Sequence, residues 1–169
     1  MTKLIMRLER LADAPASPAP DGVDGDGRHV VDLGDERRAA VASTPLARWI
    51  AAAATAHDPC LVLDRHGQVL SLSVSAASLL GCSDIGVIGR QLLDVVQVVD
   101  FDTGGAGPDY AARVAPLAVL STGSGLMRSL LRVRRRDAAK ATLDASSAPI
   151  HDASGRTVGS LTFLAPVYG

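Results

Sequence analysis

The feature that most constrains this chain is a tight turn that occurs twice. An aspartate is followed three residues later by a glycine in "DRHG" (Asp64 to Gly67) and again in "DASG" (Asp152 to Gly155). Aspartate hydrogen-bonds the backbone of such turns, and glycine accepts the positive φ that closes them. Runs of β-forming residues flank both turns, so the sequence predicts two β-hairpins that lie far apart in the chain.

The runs on either side of these turns set the number and order of the strands. We predict strands near 60–64 and 68–73 around the first turn, and near 140–149 and 157–165 around the second. An alternating run near 126–135 predicts one more. Helical segments separate the hairpins, so the predicted fold class is α+β, with a five-stranded antiparallel sheet and short helices on one face.

Small and apolar residues between the hairpins predict helices that cross the sheet. In "SVSAASLLG", Ser73 suits the N-cap of a short helix, and Gly81 suits its left-handed C-terminal cap. The residues after Gly89 predict a longer helix, because Leu and Val recur along them. Residues 100–125 include a glycine-rich stretch that we interpret as a mobile linker.

Proline, glycine, aspartate and alanine are frequent near the start of the chain. This composition buries little apolar surface and predicts a flexible N-terminal segment over 1–34. An N-terminal helical region is predicted over 35–57, where Thr44 suits an N-cap and Pro45 the first helical position. Residues 58–167 form the predicted α+β domain.

Composition and charge disfavour several classes of protein. Lys and Arg number 17 against 18 Asp and Glu, a balance that favours neither nucleic acid nor an acidic membrane as partner. No apolar run reaches the roughly 18 residues of a membrane helix. Cys60 and Cys82 have no metal-ligand spacing and give no disulfide framework. We therefore predict a cytoplasmic protein with no membrane partner and no metal site.

The order of these motifs resembles that of the PAS sensor domains over residues 57–166. Members of that family tend to have Asp-x-x-Gly between two strands, then Leu-Leu-Gly, Gly-Arg-x-Leu and a late Pro-Ile-x-Asp-x-x-Gly hairpin. Ser73 stands where many members have asparagine. The resemblance implies a sensory module that passes its signal to a separate protein. The matching residues are Asp64, Gly67, Leu79, Leu80, Gly81, Gly89, Arg90, Leu92, Pro149, Ile150, Asp152 and Gly155.

The resemblance also lets the cofactor-binding branches of the family be tested residue by residue. The flavin-binding LOV branch has an Asn-Cys pair in the long helix, where "GRQLL" has Gln91 and Leu92. Haem-binding members commonly place a histidine in or near that helix, and "IGRQLLDVVQVV" contains none. We predict no cofactor, and keep a haem- or flavin-bearing sensor of redox state, gas or light as the alternative.

Helices arched over a sheet leave a concavity, which is the usual place for a small ligand. Apolar residues of the predicted strands and helices are the candidates for lining it, and the periodicity favours a plain core over a ligand pocket. We expect six of them, Leu161 and Phe163 included, to point between sheet and helices. The candidates are Val62, Leu72, Leu79, Leu92, Val96, Leu131, Leu143, Leu161 and Phe163.

Two surfaces are candidates for protein contacts. The alternation in "RSLLRVRRR" puts arginines and Leu130 on one face of a strand, which we expect to meet water or a partner protein. The helix in "PLARWIAAAATAH" is apolar on nearly every side, and such helices are normally buried on more than one side. We therefore predict a homodimer, with the candidate interface residues Leu46, Trp49, Ile50, Arg132 and Arg134.

No catalytic set emerges from the sequence. "DASSAPIHD" brings Ser146, His151 and Asp152 close in sequence, but a strand and its turn do not by themselves make a triad. A small hydrolase is the least favoured interpretation. The sequence instead predicts a non-enzymatic signalling module that mediates protein–protein interaction, that a small ligand can tune, and that acts on a separate effector.

Overall fold

An antiparallel sheet organises the described part of the chain. Backbone contacts divide the chain after Asp32, and every described residue belongs to the second unit, Leu33–Gly169. The predicted flexible segment 1–34 lies outside the described residues, as do the first nine residues of the predicted helical region. The computed structural model describes residues 44–82, 86–99, 113–123, 125–135 and 138–168.

The sheet has the strand order β2-β1-β6-β5-β4-β3, and each neighbouring pair is antiparallel. This confirms the predicted fold class. No helix in the described ranges has both the length and the hydropathy to cross a bilayer. In chain order the elements are α1 (Pro45–Ala54), β1 (Cys60–Asp64), β2 (Val69–Leu72), α2 (Val74–Leu80), α3 (Leu92–Val95), β3 (Gln97–Val98), α4 (Ala115–Thr122), β4 (Met127–Arg134), β5 (Lys140–His151) and β6 (Thr157–Pro166).

Both Asp-x-x-Gly turns form as the sequence predicts. The glycine amide donates to the aspartate carbonyl in each, over 3.1 Å from Gly67 to Asp64 and 2.9 Å from Gly155 to Asp152. The two glycines have φ angles of 81° and 80°. Hydrogen bonds, first from the Ser154 hydroxyl and then from backbone N–H groups, lower the pKa of Asp152 to about 2. The second turn therefore keeps an ionised carboxylate at ordinary pH.

The predicted helix caps are also confirmed. The amide of Ala47 donates to Thr44 Oγ1 over 3.2 Å at the start of α1, and Pro45 occupies its first turn. Gly81 ends α2 in the left-handed conformation, at φ 66° and ψ 35°. These local signals fix where both helices begin or end because the cap satisfies backbone groups that the helix cannot.

The segment after Gly89 differs from the prediction. Helix α3 covers only Leu92–Val95, and the chain then enters β3, which pairs with β4 at Arg134 and Val133. Four of the five residues from 95 to 99 are valines, whose branched side chains suit extended backbone better than helix. The predicted longer helix is therefore wrong, and the sheet has a sixth strand.

A helix stands where the sequence predicted only a linker. Helix α4 packs against β4, β5 and β6, and the Ser160 hydroxyl donates to the Pro116 carbonyl over 2.9 Å. Its sequence "APLAVLST" is apolar on all sides and shows no amphipathic period. Pro116 in its first turn and Gly123 at its C-cap were the available signals. The linker interpretation is wrong for this part, and residues 100–112 lie outside the described residues.

The sheet carries helices on both faces. Residues of α2 and α3 join the main core cluster on one face, here called the inner face. Helix α1 packs on the other, outer face, where the Ser71 hydroxyl donates to the Ile50 carbonyl over 2.9 Å. The pairing puts Phe163 opposite Cys60 and Leu161 opposite Val62, out of phase with the core residues of the inner face.

Leu161 and Phe163 are therefore buried, but on the face that α1 packs against. The expectation that they point toward the short helices of the inner face is wrong. The reason is the period of two along a strand: Leu164 points to the inner core, so Phe163 cannot.

The tip of the first hairpin contacts α4. Gly67 and Gly155 close the two hairpin turns with nearly the same φ, so substitutions at the two glycines can be compared to measure how tight this contact is. A Cβ added to Gly67 would lie 3.0 Å from Leu117 Cδ2, whereas one added to Gly155 meets nothing within 4 Å. Because the φ angles are nearly equal, alanine imposes the same backbone strain at both, about 1–2 kcal/mol. We expect Gly67→Ala to lower the free energy of unfolding by roughly 1 kcal/mol more than Gly155→Ala, measured by chemical denaturation. Equal losses would contradict a tight contact between this hairpin and α4.

Candidate functional site

The space between the sheet and the inner helices is the candidate ligand site. The void there measures about 10 Å³, roughly the space that a single water needs. The inner face is therefore filled by its own side chains. Every wall residue is leucine, valine or proline: Leu61, Leu80, Leu92, Val96, Val98, Val114, Pro116, Leu131, Val133, Leu143 and Leu164.

The structure separates the nine predicted lining residues into three groups. Leu72 is buried in the same core cluster, and Leu79 packs against that cluster half-buried. Three lie on the opposite face of the sheet: Val62, Leu161 and Phe163. Four border the void: Leu92, Val96, Leu131 and Leu143.

Sequence reasoning missed most of the remaining wall. Val98, Val114 and Pro116 belong to segments that were predicted as helix or linker. Leu61 and Leu164 lie on predicted strands, but both strands are buried on both faces, so no alternation marks which of their residues face this void.

The wall residues do not fit a flavin or a haem. The described wall offers no hydrogen-bonding side chain, no thiol and no imidazole. Pockets for ligands of that size typically hold about 300–1,000 Å³, far more than the void here. Leu92 fills part of the void, while the neighbouring Gln91 is exposed.

Ser73 ties three segments together at the margin of the core. Its side chain is fully buried, at 0% exposure. The hydroxyl oxygen accepts the amide of Ala76 over 3.1 Å, which caps α2, and the amide of Cys60 over 3.0 Å. The same hydroxyl donates to the Asp58 carbonyl over 2.9 Å. The predicted capping role is confirmed, and serine performs it at the position where many PAS domains have asparagine.

Among the described residues, the thiols and imidazoles do not assemble into a reactive site. Burial raises the pKa of the Cys60 thiol, which keeps it protonated and unreactive. The side chains of His57, His66 and His151 are exposed. Among the residues that the structure describes, no three or more His, Cys, Asp or Glu side chains form a group that could hold a metal ion.

Ser146, His151 and Asp152, the residues considered for a hydrolase, do not form a catalytic triad. Ser146 is buried in the middle of β5, opposite Phe163. His151 ends the same strand five residues later, which corresponds to roughly 16 Å of extended chain. The Nδ1 atom of His151 instead lies 3.5 Å from Thr157 Oγ1.

Helix α1 lies on its own sheet yet keeps an apolar side open. It contacts β1, β2, β5 and β6. The predicted interface residues Leu46, Trp49 and Ile50 are half-buried by this docking. Ala51 and Ala54, on the far side, are exposed. The helix thus packs intramolecularly and still presents small apolar residues to its surroundings.

Strand β4 presents its arginine face on the outer side of the sheet. The predicted alternation is confirmed, since Leu131 pairs with buried Leu143 while Arg132 and Arg134 pair with Thr142 and Lys140. The guanidinium of Arg128 forms a bidentate ion pair with Asp144, and Leu130 is 68% exposed. We call Arg128, Leu130, Arg132, Arg134 and Lys140 the cationic stripe.

This architecture, with its two Asp-x-x-Gly hairpins, agrees with a family model. The model of the PAS fold matches residues 47–167, so the chain belongs to the PAS family of sensory signalling modules. Among curated proteins, none matches the sequence.

Solved structures with a similar fold are PAS and LOV domains. The PAS domain of a protein from Colwellia psychrerythraea is 15% identical at a TM-score of 0.53, over 80% of this chain and 98% of that one. The PAS domain of an HTR-like protein from Haloarcula marismortui is 19% identical at 0.50, over 79% and 98%. The LOV domain of a blue-light activated histidine kinase from Erythrobacter litoralis is 12% identical at 0.53, over 68% and 99%. At these identities the likeness shows the fold alone.

Ser73→Ala measures what the buried hydroxyl contributes. Its loss leaves the amides of Cys60 and Ala76 without their acceptor in a buried place, so we expect the free energy of unfolding to fall by about 2–3 kcal/mol. Ser78→Ala, on the exposed side of the same helix, is the matched control and should change it by less than about 0.5 kcal/mol. Denaturation curves for both variants provide the comparison. Equal stability of the two would show that these hydrogen bonds contribute nothing net.

Proposed function

We propose that this PAS domain is a non-enzymatic signalling module that acts through protein–protein contacts and relays a signal to a separate effector protein. The observation that carries the proposal is the contrast between the two faces of the sheet. The inner face is packed around a void of about 10 Å³, whereas the outer face exposes Leu130, Arg128 and Arg134 of β4 together with Ala51 and Ala54 of α1. Exposed apolar residues among polar ones are typical of protein–protein interaction sites.

A small ligand would tune such a module from within the core if it opened the aliphatic layer. Leu92 and Val96 of the inner layer, which border the void, are the residues that would have to move. We place the module in the cytoplasm, in agreement with two cysteines that are both free thiols.

The alternative function is a cofactor-bearing sensor of redox state, gas or light. It is favoured by the several LOV domains among the structures of similar fold, including a light-oxygen-voltage domain whose mechanism was studied with a flavin analogue, at a TM-score of 0.56 and 19% identity. The aliphatic wall and the small void argue against it.

An absorption spectrum decides between the two functions. We expect the purified protein to be colourless beyond the aromatic band. After incubation with flavin mononucleotide or hemin and gel filtration, no cofactor should be retained, because the wall offers neither room nor ligands. A LOV domain carried through the same procedure is the positive control. A Soret band, or flavin absorption in the blue, would establish the alternative function instead.

We further propose that the module is a homodimer and that α1 forms the interface. One side of α1 packs on its own sheet, while Ala51 and Ala54 remain exposed. Small side chains allow a second helix to approach closely, and Trp49 at the flank adds apolar area. Burial of this side would complete the cover of a helix that is apolar nearly all round.

Light scattering on the unmutated protein and three variants tests the dimer. We expect a dimer at micromolar concentration, and a shift toward monomer for Trp49→Glu and Ala51→Glu because each buries a charge at the interface. Ala51 is exposed, so its variant keeps the test valid even where Trp49→Glu loosens the fold, which circular dichroism would report. Val74→Glu, at a residue that is 71% exposed on α2, is the matched control. A monomeric unmutated protein contradicts the proposal.

A further inference from the structure

We propose that the cationic stripe binds an acidic, extended segment of the effector protein, and that it does not form part of the homodimer interface. This inference rests on the proposed function, since it names the chemistry of the partner for one of the two outer surfaces. It also divides the predicted interface residues, assigning Leu46, Trp49 and Ile50 to the dimer and Arg132 and Arg134 to the effector.

The first argument is a pair of like charges that the fold forces together. Arg134 of β4 lies directly opposite Lys140 of β5, and its neighbour on the other side is the uncharged Gln97 of β3. Both cationic side chains are exposed, and in the described ranges neither forms an ion pair. Like charges directly opposite each other in a sheet destabilise it. An acidic partner would relieve this repulsion.

The second argument is the balance of charge along the stripe. The neighbouring carboxylate of Asp144 is already ion-paired: its two oxygens accept hydrogen bonds from Nε and Nη2 of Arg128. Arg132 lies between Arg128 and Arg134 on the same face. In the described residues, the exposed Arg134 and Lys140 therefore make this end of the outer surface locally cationic, although the whole chain has a formal net charge of −1. A local field of this kind attracts and orients an acidic partner.

Symmetry makes a second copy of this chain a poor occupant. A two-fold interface brings the same patch of both subunits together and must be self-complementary. Two cationic stripes facing each other would set the cations of one copy against those of the other. The exposed side of α1 carries one charge, Arg48, beside Ala51 and Ala54, so two copies meet there with less repulsion, and the homodimer and the effector use different surfaces.

The side chains of the stripe favour a polypeptide over a nucleic acid. Leu130, 68% exposed, stands between Arg128 and Arg132, and the amide of Val167 donates to the Thr142 carbonyl, which places another exposed apolar residue beside the stripe. Stripe residues of β4 recur at every second position, about 7 Å apart. An extended segment with acidic and apolar side chains on one face matches that spacing.

The probe is a fluorescein-labelled synthetic peptide as long as β4, in which glutamate alternates with valine and threonine. Fluorescence anisotropy at low ionic strength gives its Kd. We expect Arg134→Glu and Lys140→Glu each to weaken binding at least about tenfold, because attraction becomes repulsion. Arg65→Glu, at an exposed arginine of the first hairpin turn, is the matched control and should leave the Kd unchanged. Rising salt should weaken binding to the unmutated protein.

Stability provides a second readout that separates recognition from folding. Arg134→Glu turns a repelling cross-strand pair into an attracting one, so its unfolding midpoint should equal or exceed that of the unmutated protein while binding is lost. A lower midpoint would mean that the like-charge pair does not strain the sheet, and would remove the first argument.

Four results of the binding experiments would overturn the proposal. These are no binding of the acidic peptide, equal binding by a peptide with lysine in place of glutamate, unchanged binding by Arg134→Glu, and tighter binding of an oligonucleotide of equal charge through the same residues. Dissociation of the dimer by Arg134→Glu would also overturn it, since the stripe would then be a contact between copies. The Trp49→Glu variant should keep the peptide Kd, so failure of the homodimer and failure of this inference are distinguishable.

Discussion

The structure depends on strand β1 being buried on both of its faces. Its first four residues are all inaccessible to solvent, although successive side chains point to opposite sides of the sheet. Helices must therefore cover the sheet twice at this point: α2, α3 and α4 contribute to the inner layer, and α1 covers the outer face. Within the described ranges, helices cover strand β4, three places away in the sheet, on its inner side alone. That asymmetry leaves one outer surface open.

The local parts of this fold could be predicted from the sequence because they follow from residues close together in the chain. The Asp64–Gly67 and Asp152–Gly155 turns require only an aspartate acceptor and a residue that accepts positive φ. The caps at Ser73 and Thr44 are local in the same way. Five strands follow because those turns separate runs of β-forming residues, and the structure places them within two residues of the prediction.

The wrong face assigned to residues of β6 and the missed helix α4 have a common cause, which is the loss of periodicity where both sides of an element are buried. Along β6, apolar Leu161, Phe163 and Leu164 alternate irregularly with Ser160 and Thr162, and all five are buried. The hydroxyls of Thr162 and Ser147 hydrogen-bond each other over 2.8 Å. Polar residues can therefore occupy the buried inner face, and polarity does not tell the two faces of β6 apart. Helix α4 is apolar on all sides for the same reason, so its sequence carries no amphipathic signal. The size of the void depends on how closely side chains from distant segments pack together. The spacing of residues along the chain does not predict it.

The position of β6 in the sheet has a consequence for the order in which the protein is made. β6 pairs with β1 on one side and with β5 on the other, so it joins the strands of the first hairpin to those that follow α4. It is also the last strand of this sheet to be synthesised. Until Thr157–Pro166 is available, the β1–β2 hairpin is separate from the β4–β5 hairpin, which has only the two-residue β3 beside it, and an isolated two-stranded hairpin is only marginally stable in water. The sheet can therefore form as a unit only after translation has passed its final strand, and the nascent chain exposes the edges of both hairpins until then.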